Sequence, residues 1–227
     1  MNVLPELWQE LVSRYSRCSR YEDDGVTLSS AINSSTRSNE EYRLKTLFVR
    51  DAVLDVKYVS KMTHPSLEQP LFIKHRFFSD FKSAPRTMWS FKGEQYTHTL
   101  KRPVSEAVRI LHRITFVPSL LLGLSLDDLF GFSVEVIQGI DRCTYQLQSC
   151  SQDHRLVIGL EKGSCAVQRI EFESVLRSEA EASLQLIAEL PEDAPEAWLK
   201  RVDPNLFRDV TEHRQVTEYT NCKIQND

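Results

Sequence analysis

Two residues of the sequence, Cys165 and His154, have types and positions that could support covalent catalysis. They flank neighbouring predicted strands, so a thiol nucleophile and an imidazole base could meet there. Such a dyad also needs a group that orients the base and N–H donors that stabilise an oxyanion, and the sequence points to neither. We therefore expect no catalytic residues and a protein that is not an enzyme. A Cys165 thiol that reacts readily at neutral pH would be evidence against this expectation.

The motifs of cofactor and metal chemistry are also missing from the sequence. Its seven glycines form neither the GxGxxG nor the GxxxxGK pattern that cradles nucleotide phosphates, and no GxSxG motif occurs. There is no HExxH motif, and the histidines stand singly, with no spacing that places two of them on one face. The sequence therefore predicts no metal site and no cofactor.

The composition is that of a globular protein with an acidic balance. Of its 227 residues 41% are hydrophobic and 26% charged, and the formal net charge is -4. This balance argues against a general binder of nucleic acid or of anionic membranes, although it leaves room for a local basic patch. The stretch Phe72–Arg86 interleaves aromatic and basic residues. It favours a strand with one buried and one charged face over a stacking platform for single-stranded nucleic acid or a protein-docking patch.

The chain shows no targeting signal. Its first ten residues, MNVLPELWQE, have none of the regions of a signal peptide. Arg109, His112 and Arg113 interrupt the most apolar stretch, so no segment reaches the roughly 20 apolar residues of a membrane helix. The five cysteines form no CxxC pair, and their odd number is typical of a reducing compartment. We expect a cytoplasmic protein, or a periplasmic one if the chain is a mature form, and a monomer.

Helical periodicity marks two stretches of the chain. Pro5 to Tyr15 has its apolar residues on one face and is predicted to be an amphipathic helix. Val104 to Leu126 is the long apolar stretch in the middle of the chain; we expect Pro118 to interrupt its helical pattern and Gly123 to end it. Each large aliphatic side chain contributes about 1.5 to 3 kcal/mol when buried, so this stretch must pack against a partner surface.

Period-two alternation predicts about ten strands separated by turn signals. The predicted strands are Val26–Ser30, two strands within Tyr42–Val59 that meet at a corner at Arg50 and Asp51, Pro70–Phe78, Arg86–Phe91, Gln95–Leu100, Phe132–Ile137, Arg142–Cys150, Arg155–Glu161, Cys165–Glu173 and Ala182–Leu190. Tyr21–Gly25 is predicted to be a turn, and Glu192–Val202 a helix. The predicted fold class is mainly β with helices (α+β). We expect a single domain over residues 1–227, in which 211–227 form a disordered tail or an edge strand.

Five segments of the chain resemble the LolA-type lipoprotein carriers and their outer-membrane lipoprotein-sorting relatives. They are RYSRCSRYEDDGV, LKTLFVRDAVLDVKY, MWSFKGEQY, SEAVRILHRITFVPSLLLG and CTYQL. The resemblance implies a long curved antiparallel sheet, an open half-barrel, with helices covering its concave face. It also implies a cavity between sheet and helices that accepts lipoprotein acyl chains. The chain departs from the family in lacking a leader and in carrying Asp51 where relatives usually break the strand with proline.

The function expected from this resemblance is non-enzymatic binding or carrying of an apolar ligand, such as a lipid or a lipoprotein acyl chain. Ligand cavities are common beneath such covers. The predicted ligand-binding residues are Trp89, Phe91, Leu111, Ile114 and Leu121, with Arg50 as a polar gate at the rim. The alternative is a structural or protein-interaction module whose core is filled by its own side chains. Such a module would dock protein partners through Phe72–Arg86 or through the polar tail.

Overall fold

The described residues of the protein fold as an antiparallel sheet with three short helices. The computed structural model describes residues 4–33, 37–63, 67–91, 93–110, 116–123, 134–138, 144–150, 154–161, 163–164, 166–175 and 210–226. The helices are α1 (Leu4–Ser16), α2 (Val104–Ile110) and α3 (Phe116–Leu121). The strands are β1 (Cys18–Asn33), β2 (Arg37–Val49), β3 (Val53–Thr63), β4 (Leu71–Ser79), β5 (Arg86–Phe91), β6 (Glu94–Thr99), β7 (Val134–Gln138), β8 (Thr144–Cys150), β9 (His154–Glu161), β10 (Val167–Val175) and β11 (Val210–Asn226).

The sheet consists of two meanders that are joined by the first and the last strand. Its order is β6-β5-β4-β3-β2-β1-β11-β10-β9-β8-β7, and every pair is antiparallel. Among the described strands, all neighbours except β1 and β11 are numbered consecutively. The predicted mainly β, antiparallel architecture is therefore confirmed.

One face of the sheet shares a hydrophobic core with all three helices, and we call it the inner face. Leu44, Phe48 and Leu54 lie on it, and they belong to the same buried cluster as residues of α1, α2 and α3. The helix residues of this cluster are Leu11, Tyr15, Ala107, Val108, Val117, Leu120 and Leu121. Tyr15 also ties α1 to the second meander, because its hydroxyl accepts a 2.9 Å hydrogen bond from the Val167 N–H. The opposite side is the outer face.

The prediction of a turn at Tyr21–Gly25 is wrong, because these residues lie inside β1. The acidic sequence hides a strand pattern in which Tyr21, Asp23 and Gly25 are buried while Glu22 and Asp24 are more accessible. Asp24 pairs with Lys45 of β2 at 2.9 Å on the outer face. Asp23 and Asp24 are adjacent in the sequence and therefore lie on opposite faces of β1.

The tail is neither disordered nor an edge strand over residues 210–226. These residues form β11, which pairs with β1 on one side and with β10 on the other. Its polar sequence fits the sheet interior because its buried polar groups are bonded. The Thr217 hydroxyl, for example, shares a 2.8 Å hydrogen bond with the Thr27 hydroxyl of β1.

The predicted helix Pro5–Tyr15 is confirmed, and the described part of Val104–Leu126 is helical over 104–110 and 116–121, with one correction. Pro118 does not stop a helix but lies within α3, where its carbonyl accepts a 3.1 Å hydrogen bond from the Leu122 N–H. Proline is tolerated in the first turn of a helix, whose N–H groups have no partner within the helix. The hairpin of β5 and β6 turns at Gly93, which has a φ of 85°. The predicted strand Ala182–Leu190 and helix Glu192–Val202 lie outside the described residues.

Asp23 is a buried carboxyl group on the inner face of β1. It accepts a 2.8 Å hydrogen bond from the Tyr21 hydroxyl and a 2.9 Å bond from the Thr46 N–H. Burial raises the pKa of Asp23 to about 6, because these two bonds only partly replace the lost hydration. The hydroxyls of Tyr15 and Tyr219 and the thiol of Cys222 also lie within its electrostatic reach.

We expect Asp23→Asn to stabilise the protein near neutral pH but not in acid. The raised pKa means that the folded state holds this proton more tightly than the unfolded chain, where the pKa is about 3.9. In the unchanged protein, the contribution of Asp23 to stability is fully present below about pH 4 and is lost as the pH rises through about 6. The upper limit of this loss is about 3 kcal/mol. Asparagine keeps an acceptor for the Thr46 N–H and carries no charge. Urea unfolding at about pH 4 and about pH 7.5 measures the difference.

The neighbouring variant Asp24→Asn is the matched control. The Asp24 carboxylate is accessible and paired with Lys45, so its removal should bring no gain in stability at either pH. Equal effects of Asp23→Asn at both pH values would contradict the predicted linkage.

Candidate functional site

Directly paired positions on the inner face of four strands form an aromatic row. Tyr58 of β3 lies opposite His75 of β4, His75 opposite Trp89 of β5, and Trp89 opposite Tyr96 of β6. The rings of Tyr58 and His75 stack with their centroids 4.4 Å apart, and those of Trp89 and Tyr96 stack at 5.8 Å. Tyr42 of β2 meets Tyr58 edge-on at 6.1 Å. The row gives the inner face a continuous aromatic wall.

Trp89 is the buried member of this row and carries a polar group without a partner. Its side chain is 5% exposed. The indole Nε1–H has no hydrogen-bond partner among the described residues. A buried donor that is left unpaired costs about 1 to 3 kcal/mol, and tryptophan N–H groups in protein interiors are usually paired. This atom therefore indicates where an acceptor belongs.

His75 is held neutral within the row. Desolvation by burial lowers the pKa of its imidazole to about 3, because a charged ring would lose its hydration there. The ring lies flat on Tyr58, at an interplanar angle of 9°. Near neutral pH the aromatic row is thus a wall without a formal charge.

Arg50 follows β2 and connects the sheet with two helices. Its guanidinium donates hydrogen bonds to the carbonyls of Cys18 at 2.9 Å and of Tyr15 and Leu121 at 3.4 Å. It also lies over the Phe48 ring at 5.3 Å. The carbonyls of Tyr15 and Leu121 lie in the last turns of α1 and α3, where a cation is favoured. Arg50 is therefore a clamp between helices and sheet, and its predicted role as a gate stays a prediction.

The structure places the other predicted site residues as follows. Leu121 lies fully buried in α3, within the core that the helices share with the inner face. Phe91 ends β5 and pairs with Glu94, and its side chain is not described. Leu111 and Ile114 lie outside the described residues. The same holds for Cys165, while His154 begins β9 with a side chain that is not described.

Three members of the aromatic row are missing from the predicted site. Tyr58, His75 and Tyr96 each have neighbours in the sequence that lie on the opposite face of the strand. The alternation within a strand therefore predicts which face each ring occupies. The pattern within a single strand does not determine its register with the next strand. The ladders of β3 to β6 bring together residues that are distant in the sequence.

Comparison with known proteins finds structural likeness only. No protein-family model matches the sequence, and no curated protein does. A DUF1329 family protein from Desulfovibrio piger is 11% identical over 99% of this chain and 94% of its own, with a TM-score of 0.34. A domain from Vibrio parahaemolyticus, described as an outer membrane lipoprotein-sorting protein, is 10% identical over 97% and 91%, with a TM-score of 0.34. A LolA superfamily protein from Nitrosomonas europaea is 8% identical over 98% and 94%, with a TM-score of 0.28.

These solved structures are distantly similar to this chain and define neither its family nor its site. Two further findings concern the described part of the chain. None of its helices is long and apolar enough to cross a bilayer. It also contains no group of three or more His, Cys, Asp or Glu side chains that could hold a metal ion.

We expect the His75 ring to stay neutral in the folded protein down to about pH 4. In the urea-unfolded chain it should titrate near 6.5. Because the folded pKa is the lower one, the stability that His75 contributes is present above about pH 6.5 and is lost as the pH falls through about 3. Histidine ring signals in NMR, assigned with a His75→Phe variant, measure both titrations. A native ring that titrates near 6.5 would show that the aromatic row is hydrated at this point.

Proposed function

We propose that the protein binds an apolar ligand that carries a carbonyl group, such as the acyl chain of a lipid or lipoprotein, without catalysing a reaction. The observation that carries the proposal is the buried Nε1–H of Trp89, which has no partner among the described residues. An ester or amide carbonyl is an acceptor that an acyl ligand brings with it. Pairing it with this N–H would remove the cost of a buried unpaired donor.

The aromatic row supports the same ligand class. Tyr58, His75, Trp89 and Tyr96 offer a broad apolar surface, and the low pKa of His75 keeps that surface uncharged at neutral pH. Such a wall suits a hydrocarbon chain better than a polar or charged ligand. We propose that the inner face is the concave one and that α1 to α3 cover it. Phe91, Leu111, Ile114 and Leu121 would line the ligand site from the sheet and from the helical region.

The alternative is a filled core without a ligand, and the burial of Trp89 favours it. Only 5% of its side chain is exposed, so a ligand has to displace something before it reaches the indole N–H. In that case the protein would be an interaction module that works through its surface. Ligand uptake separates the two functions.

We expect the Trp89→Phe variant to bind a fatty acyl probe roughly two- to tenfold more weakly than the unchanged protein. Phenylalanine keeps an aromatic ring in the row and removes the hydrogen-bond donor together with part of the indole ring. The lost hydrogen bond contributes about 0.5 to 1.5 kcal/mol net. The probe is the methyl ester of cis-parinaric acid, a fluorescent polyene fatty acid whose ester provides a carbonyl acceptor. Fluorescence titration of the full chain gives the dissociation constants.

Met88→Leu is the matched control, because Met88 precedes Trp89 in β5 and lies on the outer face. This variant should bind the probe as the unchanged protein does. Equal affinities of all three proteins would show that the indole N–H does not contact the ligand. No uptake by the unchanged protein, together with a ligand-free mass in native mass spectrometry, would leave the filled-core module as the function.

A further inference from the structure

Two neighbouring cross-strand rows on the outer face contain the exposed large hydrophobic side chains of the described residues. One row is Leu28, Glu41, Lys61 and Phe72 on β1 to β4, and the other is Val26, Arg43, Val59 and Lys74 on the same strands. We call these eight residues the outer band. Phe72 and Leu28 are 59% and 58% exposed, and Val26 and Val59 are 43% and 39% exposed. Apolar side chains exposed together in this way indicate a contact surface.

The outer band lies in a basic part of an acidic protein. The outer face of β2 to β4 between Glu41 and Arg76 carries six cations and two carboxylates. The cations are Arg43, Lys45, Lys57, Lys61, Lys74 and Arg76, and the carboxylates are Glu41 and Asp55. Since the whole chain has a net charge of -4, this excess is local. It fits a partner with dense negative charge.

Two of these cations are available for a partner. Asp55 binds Arg76 at 2.8 Å and Lys57 at 3.1 Å, and Glu41 binds Arg43 at 3.2 Å. Lys61 and Lys74 form no ion pair with any described residue. Lys61 of β3 lies opposite Phe72 of β4, and Lys74 of β4 lies opposite Val59 of β3. Each of these two adjacent pairs therefore combines a cation with an exposed apolar side chain, and the strand that carries the cation alternates.

We propose that the outer band docks the protein onto an anionic lipid bilayer. Lys61 and Lys74 would contact lipid phosphates while Phe72, Val59 and Leu28 enter the interfacial layer, the arrangement that amphipathic membrane-binding surfaces use. The alternation favours a bilayer over a protein, because a fluid layer accepts apolar groups at any spacing whereas a protein must supply a matching pocket for each.

The neighbouring aromatic ring does not suit base stacking. Phe78 of β4 lies between the guanidiniums of Arg76 and Arg86, at 5.0 and 5.4 Å from its centroid. Phe72 is exposed by itself, and single-stranded nucleic acid needs a succession of aromatic platforms. The basic and aromatic stretch Phe72–Arg86 therefore favours a membrane over a nucleic acid.

Sedimentation of the full chain with vesicles tests the proposal. We expect binding to vesicles of phosphatidylcholine and phosphatidylglycerol in equal parts and none to pure phosphatidylcholine. The double variant Lys61→Gln/Lys74→Gln should bind about 25-fold more weakly, since each lysine near an anionic surface contributes roughly fivefold. Phe72→Ser should also weaken binding, because it removes the most exposed apolar group. All of these residues are exposed, so thermal unfolding should be unchanged.

The double variant Lys82→Gln/Lys101→Gln removes the same charge from exposed positions outside the band and should bind like the unchanged protein. Equal losses in the two double variants would show that binding follows total charge, and the docking surface would be refuted. Absence of binding to the phosphatidylglycerol vesicles would also overturn the proposal and leave an acidic protein as the partner of these lysines. Trp89→Phe should sediment normally, because the inner-face ligand site and the outer band are independent proposals.

Discussion

The pairing of β1 with β11 is the interaction on which the rest of the structure depends. It joins the meander β1 to β6 to the meander β7 to β11, and among the described strands it is the one ladder between strands that are not numbered consecutively. Cys18 of β1 and Asn226 of β11 are partners across almost the whole chain. The entropic cost of closing so long a loop rises only slowly with its length, so 16- and 17-residue strands can offset it. Without this ladder each meander would end in an open edge.

Position 25 illustrates how closely the strands approach at this junction. A Cβ on Gly25 would lie 3.0 Å from Leu44 Cγ and 3.3 Å from the Glu218 carbonyl oxygen. Gly25 therefore lets the large inner-face side chains of β2 and β11, Leu44 and Tyr219, pack across β1. The need for glycine here is one of close packing rather than of unusual backbone geometry.

Local patterns predicted most elements of the fold, and the failures share one cause. The helices and the strands with clean alternation, such as β4, follow from periodicity because one face of each is buried. The sequence YEDDG and the tail 210–226 look polar, since their buried groups include Asp23, Gln215 and Thr217 besides Tyr21 and Tyr219. Hydrogen bonds across the sheet make this burial possible, and no pattern within a single strand reveals them.

The candidate site, like the fold, could be predicted from the sequence only in part. Trp89 was predicted to line a ligand site, and the structure places it in the aromatic row of the inner face, whereas its neighbours His75 and Tyr96 depended on register. Arg50 was predicted as a polar gate at the rim of the ligand site, and that role stays a prediction. Its bonds to the carbonyls of Tyr15 and Leu121 require the helices to be placed against the sheet, which is a tertiary property.

The two faces of the sheet are linked because side chains alternate along each strand. Tyr58 of the aromatic row lies between Lys57 and Val59 of the outer face, and His75 lies between Lys74 and Arg76. A slip of one residue in the register of β3 or β4 would place these charges in the aromatic wall and the rings in water. Either face would be lost together with the other. The constraint that holds the inner wall apolar is thus the same one that presents the lysines on the outside, and a single change of register would abolish both surfaces.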